Sequence, residues 1–191
     1  MKVLKNIWSQ LHRFVLWALL LTVLWSWIYT FVGDTSRDKK ILFYIDAYAV
    51  SQRPLSLRLE EECLPEGIRM IQARSFGYDV FDSAPVGDVY LIRESMLLSA
   101  IEDTPGKLTP IRLPEGMRGF EHGGQCYGIL AFDAASQTGP AMSFVQYTPL
   151  PDPEKECYYL CFDAASPHLS SLPGAADNAA WEVAMAFLGL E

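Results

Sequence analysis

KILFYIDAYA, residues 40–49, is a continuous apolar run rich in β-branched and aromatic residues. Such a run reads as a continuous apolar strand. In PLSLRLEEECL (54–64), which follows it, Pro54 suits a first helical turn and Leu55, Leu59 and Cys63 recur at helical spacing. Pro65-Glu66-Gly67 breaks that helix. GIRMIQARSF (67–76) sets Ile68, Met70 and Gln72 against polar neighbours, the alternation of a half-buried strand. SFGYDVFDSA (75–84) reads as a short helix or loop ending at Pro85. DVYLIRES (88–95) is a third strand, and SMLLSAIED (95–103) is the helix after it. Strands alternating with helices at this spacing indicate βαβ units and a largely parallel sheet.

The second half differs. Residues 104–124 hold several prolines and glycines and read as a loop with one strand at most. QCYGILAFDA (125–134), AMSFVQYTPL (141–150) and ECYYLCFDAA (156–165) read as three further strands, the first two separated at Gly139-Pro140 and the last two by PLPDPEKE (149–156). AADNAAWEVAMAFLGL (175–190) is a closing helix. Asp177 is an early acidic residue or cap there, and Ala180, Val183, Ala184 and Phe187 form the apolar stripe. The expected fold class is α/β, a mixed, mostly parallel sheet flanked by helices.

Ahead of this domain, residues 14–32 read FVLWALLLTVLWSWIYTFV, with no charge and no proline. A helix needs roughly 20 apolar residues to cross the hydrocarbon core. Lys2, Lys5 and Arg13 precede the run, and Trp25, Trp27 and Tyr29 cluster near its far end, where amphipathic rings favour the headgroup level. The expectation is a short tail (1–13), an uncleaved transmembrane signal-anchor (14–32), a polar linker (33–40) and an α/β domain (41–191). A cleaved signal peptide is the alternative. Arg37, Lys39 and Lys40 nearly balance the basic residues before the run, so charge gives only a lean on orientation. The short tail favours an extracytoplasmic domain in a single-pass cell-membrane protein.

Every acidic residue lies after position 32. With Lys2, Lys5 and Arg13 set aside, 12 basic and 23 acidic residues remain, a formal charge of −11. Such a surface repels phosphate backbones, so nucleic acid is not an expected partner. Cys63, Cys126, Cys157 and Cys161 allow three pairings if oxidised. Cys157 and Cys161, four apart on a strand, share a face but lie too far apart to bond to each other. Small buried hydrophobes are the plainer reading of these cysteines, with a structural disulfide as the alternative.

Three strands end alike. Phe43-Tyr44-Ile45-Asp46-Ala47 runs on to Ser51, and Phe132-Asp133-Ala134-Ala135-Ser136 is repeated as Phe162-Asp163-Ala164-Ala165-Ser166. In open α/β sheets ligands sit outside the carboxyl ends of the strands. Asp46 and Asp163 therefore become candidate pocket residues, with Asp133 a weaker one. Each also fits an Asx-turn that merely turns the chain. His168, in FDAASPHLSSLPG (162–174), lies directly after a strand among short polar residues, and is either functional or a loop histidine bonded to backbone. His122, in GFEHGGQC (119–126), lacks the further ligands a zinc site needs. No G-x-S-x-G, H-E-x-x-H, Walker or G-x-G-x-x-G signature is present, so no catalytic residue, metal or cofactor is assigned and no enzyme is expected.

The order of these elements, from KILFYIDAYAVS through a helix to GIRMIQARSF and DVYLIRES, resembles one lobe of a bacterial extracellular solute-binding protein of the periplasmic-binding-protein type. In that family the third strand often carries an aspartate followed by hydrophobic residues that marks the cleft, here Asp88-Val89-Tyr90-Leu91-Ile92. CYYLCFDAASPHLSSL and DNAAWEVAMAFL are similar to segments of small, membrane-tethered relatives. The resemblance implies a membrane-anchored binding module for a small solute. The strand-end residues Asp46, Tyr48, Ser51, Glu94, Ser95, Asp163 and His168 are its candidate ligand contacts. Solute-binding proteins close two lobes on a ligand, and this chain has residues for one. The alternative is an envelope protein-interaction or accessory subunit with no small ligand.

Overall fold

The computed structural model describes residues 2–33, 35–76, 86–148, 156–169 and 178–190. The chain divides into two compact units, 1–36 and 37–191.

The first unit is helix α1, Lys2–Gly33, with side chains described over residues 10–27. Phe14, Trp17, Leu19, Leu21, Val23 and Trp25 are among its exposed apolar side chains. Among the described residues, no helix is long and apolar enough to cross a membrane. The described stretch includes Gln10, His12 and Arg13 at one end and stops at Trp27, short of the full 14–32 run.

The second unit begins with a single 3-10 turn at Arg37–Lys39, so the expected polar linker (33–40) is partly built into the domain. The domain starts at Arg37, not at residue 41, because the Arg37 side chain is bonded into it. Then come β1 (Lys40–Ile45), β2 (Ala49–Val50), α2 (Gln52–Glu62), β3 (Met70–Ser75), β4 (Val89–Arg93), α3 (Glu94–Asp103), β5 (Gly119–His122), β6 (Gln125–Phe132), β7 (Val145–Gln146), β8 (Tyr158–Phe162) and α4 (Ala179–Leu188). The expected helix or loop at 75–84, the 149–156 separator and Asp177 fall wholly or largely outside the described residues, as do the short polar residues of 170–174 after His168.

A six-stranded sheet has the order β3-β1-β4-β8-β6-β5. β3, β1 and β4 are parallel; β4–β8, β8–β6 and β6–β5 are antiparallel. The sheet is mixed as expected, but three of these five pairings are antiparallel, which corrects the mostly parallel expectation. The reason lies in the connections. A parallel crossover needs a dozen or more residues, usually a helix, whereas β5 and β6 are joined by Gly123-Gly124 alone. Both glycines have positive φ (60° and 78°) and pair His122 with Gln125 across a two-residue hairpin. The 141–150 segment is another correction. Among its described residues, 141–148, only Val145–Gln146 forms a strand, and it pairs with β2 in a separate two-stranded sheet. Residues 141–144 form turns, with Ala141 in the left-handed region at φ 53°.

The core lies on both faces of the large sheet. Alternation in β1 sends Ile41, Phe43 and Ile45 to one face and Leu42 and Tyr44 to the other. The first face is closed by Leu55 and Leu59 of α2 and by Ala180, Val183, Ala184 and Phe187 of α4. The second is closed by Leu97 and Ala100 of α3. All four cysteines are free thiols, and Cys161 is buried. A Cβ on Gly128 would lie 2.9 Å from the Cys161 Sγ, and one on Gly119 would lie 2.7 Å from the Cys126 Sγ. The two thiols fill space that these strand glycines leave open.

Candidate functional site

Strand direction separates the candidate residues into two groups. Asp46 follows β1, and Glu94 and Ser95 follow β4, at the carboxyl edge of the parallel strands. Tyr48 and Ser51 lie in the connection from β1 to α2 at the same edge. β8 runs antiparallel to β4, with Val89 opposite Phe162 and Arg93 opposite Tyr158. Asp163 and His168, which follow β8, therefore sit at the amino edge, beside Asp88. Four residues of strand, about 13 Å at 3.3 Å per residue, separate the two edges. The seven residues share no site, because the carboxyl-end rule carries over only to strands pointing the same way.

At the carboxyl edge the charged groups are engaged internally. Arg93 grips Asp46 with two bonds, Nε to Oδ2 at 2.9 Å and Nη2 to Oδ1 at 3.1 Å. Ser95 Oγ donates to Glu156 Oε2 at 2.8 Å, and Tyr159 OH lies 3.5 Å from Glu94 Oε2. Tyr48 is 66% exposed. Ser51 begins α2 without a side-chain cap bond, and its amide donates to the Phe144 carbonyl at 2.8 Å.

At the amino edge two aspartates are fully enclosed. Asp88, the residue expected to mark a cleft, is 0% exposed and accepts from four donors. These are Arg37 Nη1 (2.7 Å), Arg37 Nη2 (2.8 Å), the Leu42 amide (2.7 Å) and Ser166 Oγ. Arg37 also donates to the carbonyls of Lys40 and Val86. Asp163, 1% exposed, accepts from Tyr90 OH at 2.7 Å and from Lys107 Nζ at 2.9 Å. The Tyr90 oxygen in turn accepts the Gly87 amide at 3.0 Å. Position 87 has no room for a side chain, since a Cβ there would lie 2.8 Å from Tyr90 Cζ and OH.

The identical pentapeptides behave alike locally and differ globally. The amides of Ala135 and Ala165 each donate to the Oδ1 two residues back, at 2.9 Å, so both Asp133 and Asp163 form Asx-turns. Since β6 and β8 are antiparallel, the copies end at opposite edges. Asp133 is held below the ordinary carboxylate range, first by the Ala135 amide and then by Arg118.

Serine, histidine and aspartate meet at the amino edge without the arrangement of a nucleophilic triad. Ser166 Oγ donates to the Asp88 carboxylate and accepts the His168 amide at 3.1 Å, while His168 Nε2 donates to the Arg37 carbonyl at 3.0 Å. The imidazole Nε2 thus holds backbone, and among the described residues no base is bonded to the Ser166 hydroxyl. Among the described residues every buried side-chain nitrogen and oxygen has a partner, and no three His, Cys, Asp or Glu side chains gather as metal ligands. Sequence reasoning missed Asp88, Arg37 and Lys107 as network members. Local pattern holds no sign that Arg37 and Asp88, 51 positions apart, would pair.

Burial, then the hydrogen bond and charge of Asp163, raise the Tyr90 phenol well above its ordinary value of 10.0. Burial raises Tyr147 and Tyr159 in the same direction. The folded state thus keeps protons that the unfolded chain loses above about pH 10. Stability is full below that pH and falls as pH rises, by up to about 1.4 kcal/mol per pH unit for each such tyrosine. Urea unfolding at pH 9, 10 and 11 should show this decline. Tyr90→Phe should make it shallower, and an unchanged slope would sink the assignment.

A surface concavity among the described residues lies elsewhere. An open groove of about 540 Å³ is lined by Ala49–Ser51, Phe132, Gln137 and Met142–Thr148. None of these residues is charged, in a domain (37–191) of 12 basic and 22 acidic residues, a formal charge of −10. Of the candidate residues only Ser51 reaches it. Gln137 and Ala141, the two non-glycine residues with positive φ among those described, lie on or next to its wall. Comparison with protein-family models, curated proteins and solved structures gave no match.

Proposed function

We propose that this chain is a membrane-anchored, extracytoplasmic accessory module, which docks an envelope protein through the uncharged groove. One observation carries the reading. The charged side chains that strand-end logic offers to a solute are bonded to other groups of the protein at two opposite edges, while the groove gathers neutral polar and apolar surface. Met142, 54% exposed, lines it, and Tyr48, 66% exposed, directly precedes its first lining residue. Protein interfaces favour aromatic residues and methionine and are depleted of charge at their centre. The anchor is supported by the uncharged 14–32 run and by the exposed apolar side chains of α1. Kinship with one lobe of a solute-binding protein remains part of the proposal, supported by the parallel β3-β1-β4 half and its helices. A solute bound by the seven strand-end residues together is not, since they are divided between two edges.

A photo-crosslinking amino acid at Met142, activated in intact cells stripped of their wall, should give one discrete protein adduct. Ser143→Arg should abolish it. The same crosslinker at Leu57, an exposed leucine of α2 outside the groove lining, should give none. Protease added outside should digest the adduct along with residues 37–191. Equal adducts at Met142 and Leu57 would refute the docking surface. An adduct protected until lysis would refute the extracytoplasmic placement.

A further inference from the structure

Among the described residues, strand β3 is an end strand of the six-stranded sheet, paired on one side by β1. Its Phe76-side register sends the even-numbered amides towards β1, as the Phe76 amide to the Ile45 carbonyl shows. The amides of Ile71 and Ala73 therefore point out of the sheet. An open row of this kind is a template for pairing with another chain. Here both amides are occupied by side chains of α2. Ile71 N–H donates to Glu60 Oε1 at 2.8 Å, and Ala73 N–H donates to Ser56 Oγ at 2.9 Å. Ser56 and Glu60 are four residues apart, on one row of the helix. The Ser56 hydroxyl is turned by its own bond to the Gln52 carbonyl at 2.8 Å, which leaves its lone pairs facing the strand.

We infer that Ser56 and Glu60 are edge guards: they occupy the outward amides of β3 and so keep a second copy of this chain from adding its own β3 to the sheet. The inference is independent of the groove and of its partner. The occupant being excluded is another copy because every copy presents the same edge, and two such edges meet with matched spacing. The opposite end strand, β5, has four residues and a register shift at Phe120/Glu121, which makes it a poor template without any guard.

The test uses the full chain in detergent. Ser56→Ala/Glu60→Ala should associate with rising concentration by light scattering, while wild type keeps its oligomeric state. At the lowest concentration, exchange of the Ile71 and Ala73 amides should quicken by about tenfold, the worth of one hydrogen bond. Glu60→Gln keeps an acceptor and loses the charge, so it should behave as wild type. If Glu60→Gln associates as readily as the double variant, charge repulsion and not amide occupancy is responsible, and the inference falls. It falls also if the double variant keeps wild-type size and amide protection. Should the double variant not fold by circular dichroism, Glu60→Ala alone decides: it should release Ile71 and spare Ala73, and unchanged Ile71 exchange overturns the guard.

Discussion

Asp88→Ala should destabilise the domain by about 3–5 kcal/mol, the cost of breaking a buried ion pair from one side. The carboxylate is fully enclosed and accepts from Arg37 twice, from the Leu42 amide and from Ser166. Its removal leaves a buried main-chain donor on the interior strand β1 without that partner, and releases Arg37 at the first residue of the domain. Small domains hold only about 5–15 kcal/mol in total, so the variant should lose much of its stability. Asp88→Asn keeps the shape but replaces one acceptor with a donor against Arg37 or Ser166, and should recover little. Arg118→Ala is the control. Arg118 is well exposed and its ion pair with Asp133 is open to solvent, so its loss should leave the urea midpoint close to that of wild type. Urea unfolding of the three variants beside wild type decides. A loss at Asp88→Ala no larger than at Arg118→Ala would show that the amino-edge network contributes little.

Phe187→Ala should cost about 3–5 kcal/mol, the range for emptying a buried aromatic site. The ring is fully buried on α4 and meets Phe43 of β1 edge-on, with centroids 4.9 Å apart. Both residues lie in the cluster that joins α2 and α4 to the sheet. Neither helix can slide in to fill the space without breaking its own contacts, so the cavity should persist. Met142→Ala, on the groove surface, should change stability little and provides the comparison. A thermal melt in which the two variants differ by less than a degree would contradict the assignment of α4 to the core.

Much of the fold was legible because burial imposes a local period. β1 reads as an unbroken apolar run since both its faces are covered. The Ala180, Val183, Ala184 and Phe187 stripe reads as a helix face since only that face packs. Leu55 and Leu59 were legible in the same way and are buried on α2. The AMSFVQYTPL segment misled because its described residues form turns and a two-residue strand, in which Ala141, Val145 and Tyr147 are buried one by one while Met142 stays exposed. The Gly123-Gly124 hairpin carried a readable signal, two glycines between strand-like runs, whose consequence for strand direction was missed.

The sequence by itself determined most of the segments that become strands and helices, where the uncharged run and the acidic domain lie, and that Asp133 and Asp163 each fit the same local turn. These depend on contacts within a few residues. Only the tertiary structure decided the direction of β8, and with it that Asp163 and His168 belong to the edge opposite Asp46. It alone paired Arg37 with Asp88, Lys107 with Asp163 and Glu60 with the outer edge of β3. Direction and long-range pairing depend on how the sheet closes over its core, and a buried charge takes whatever partner that closure brings within reach.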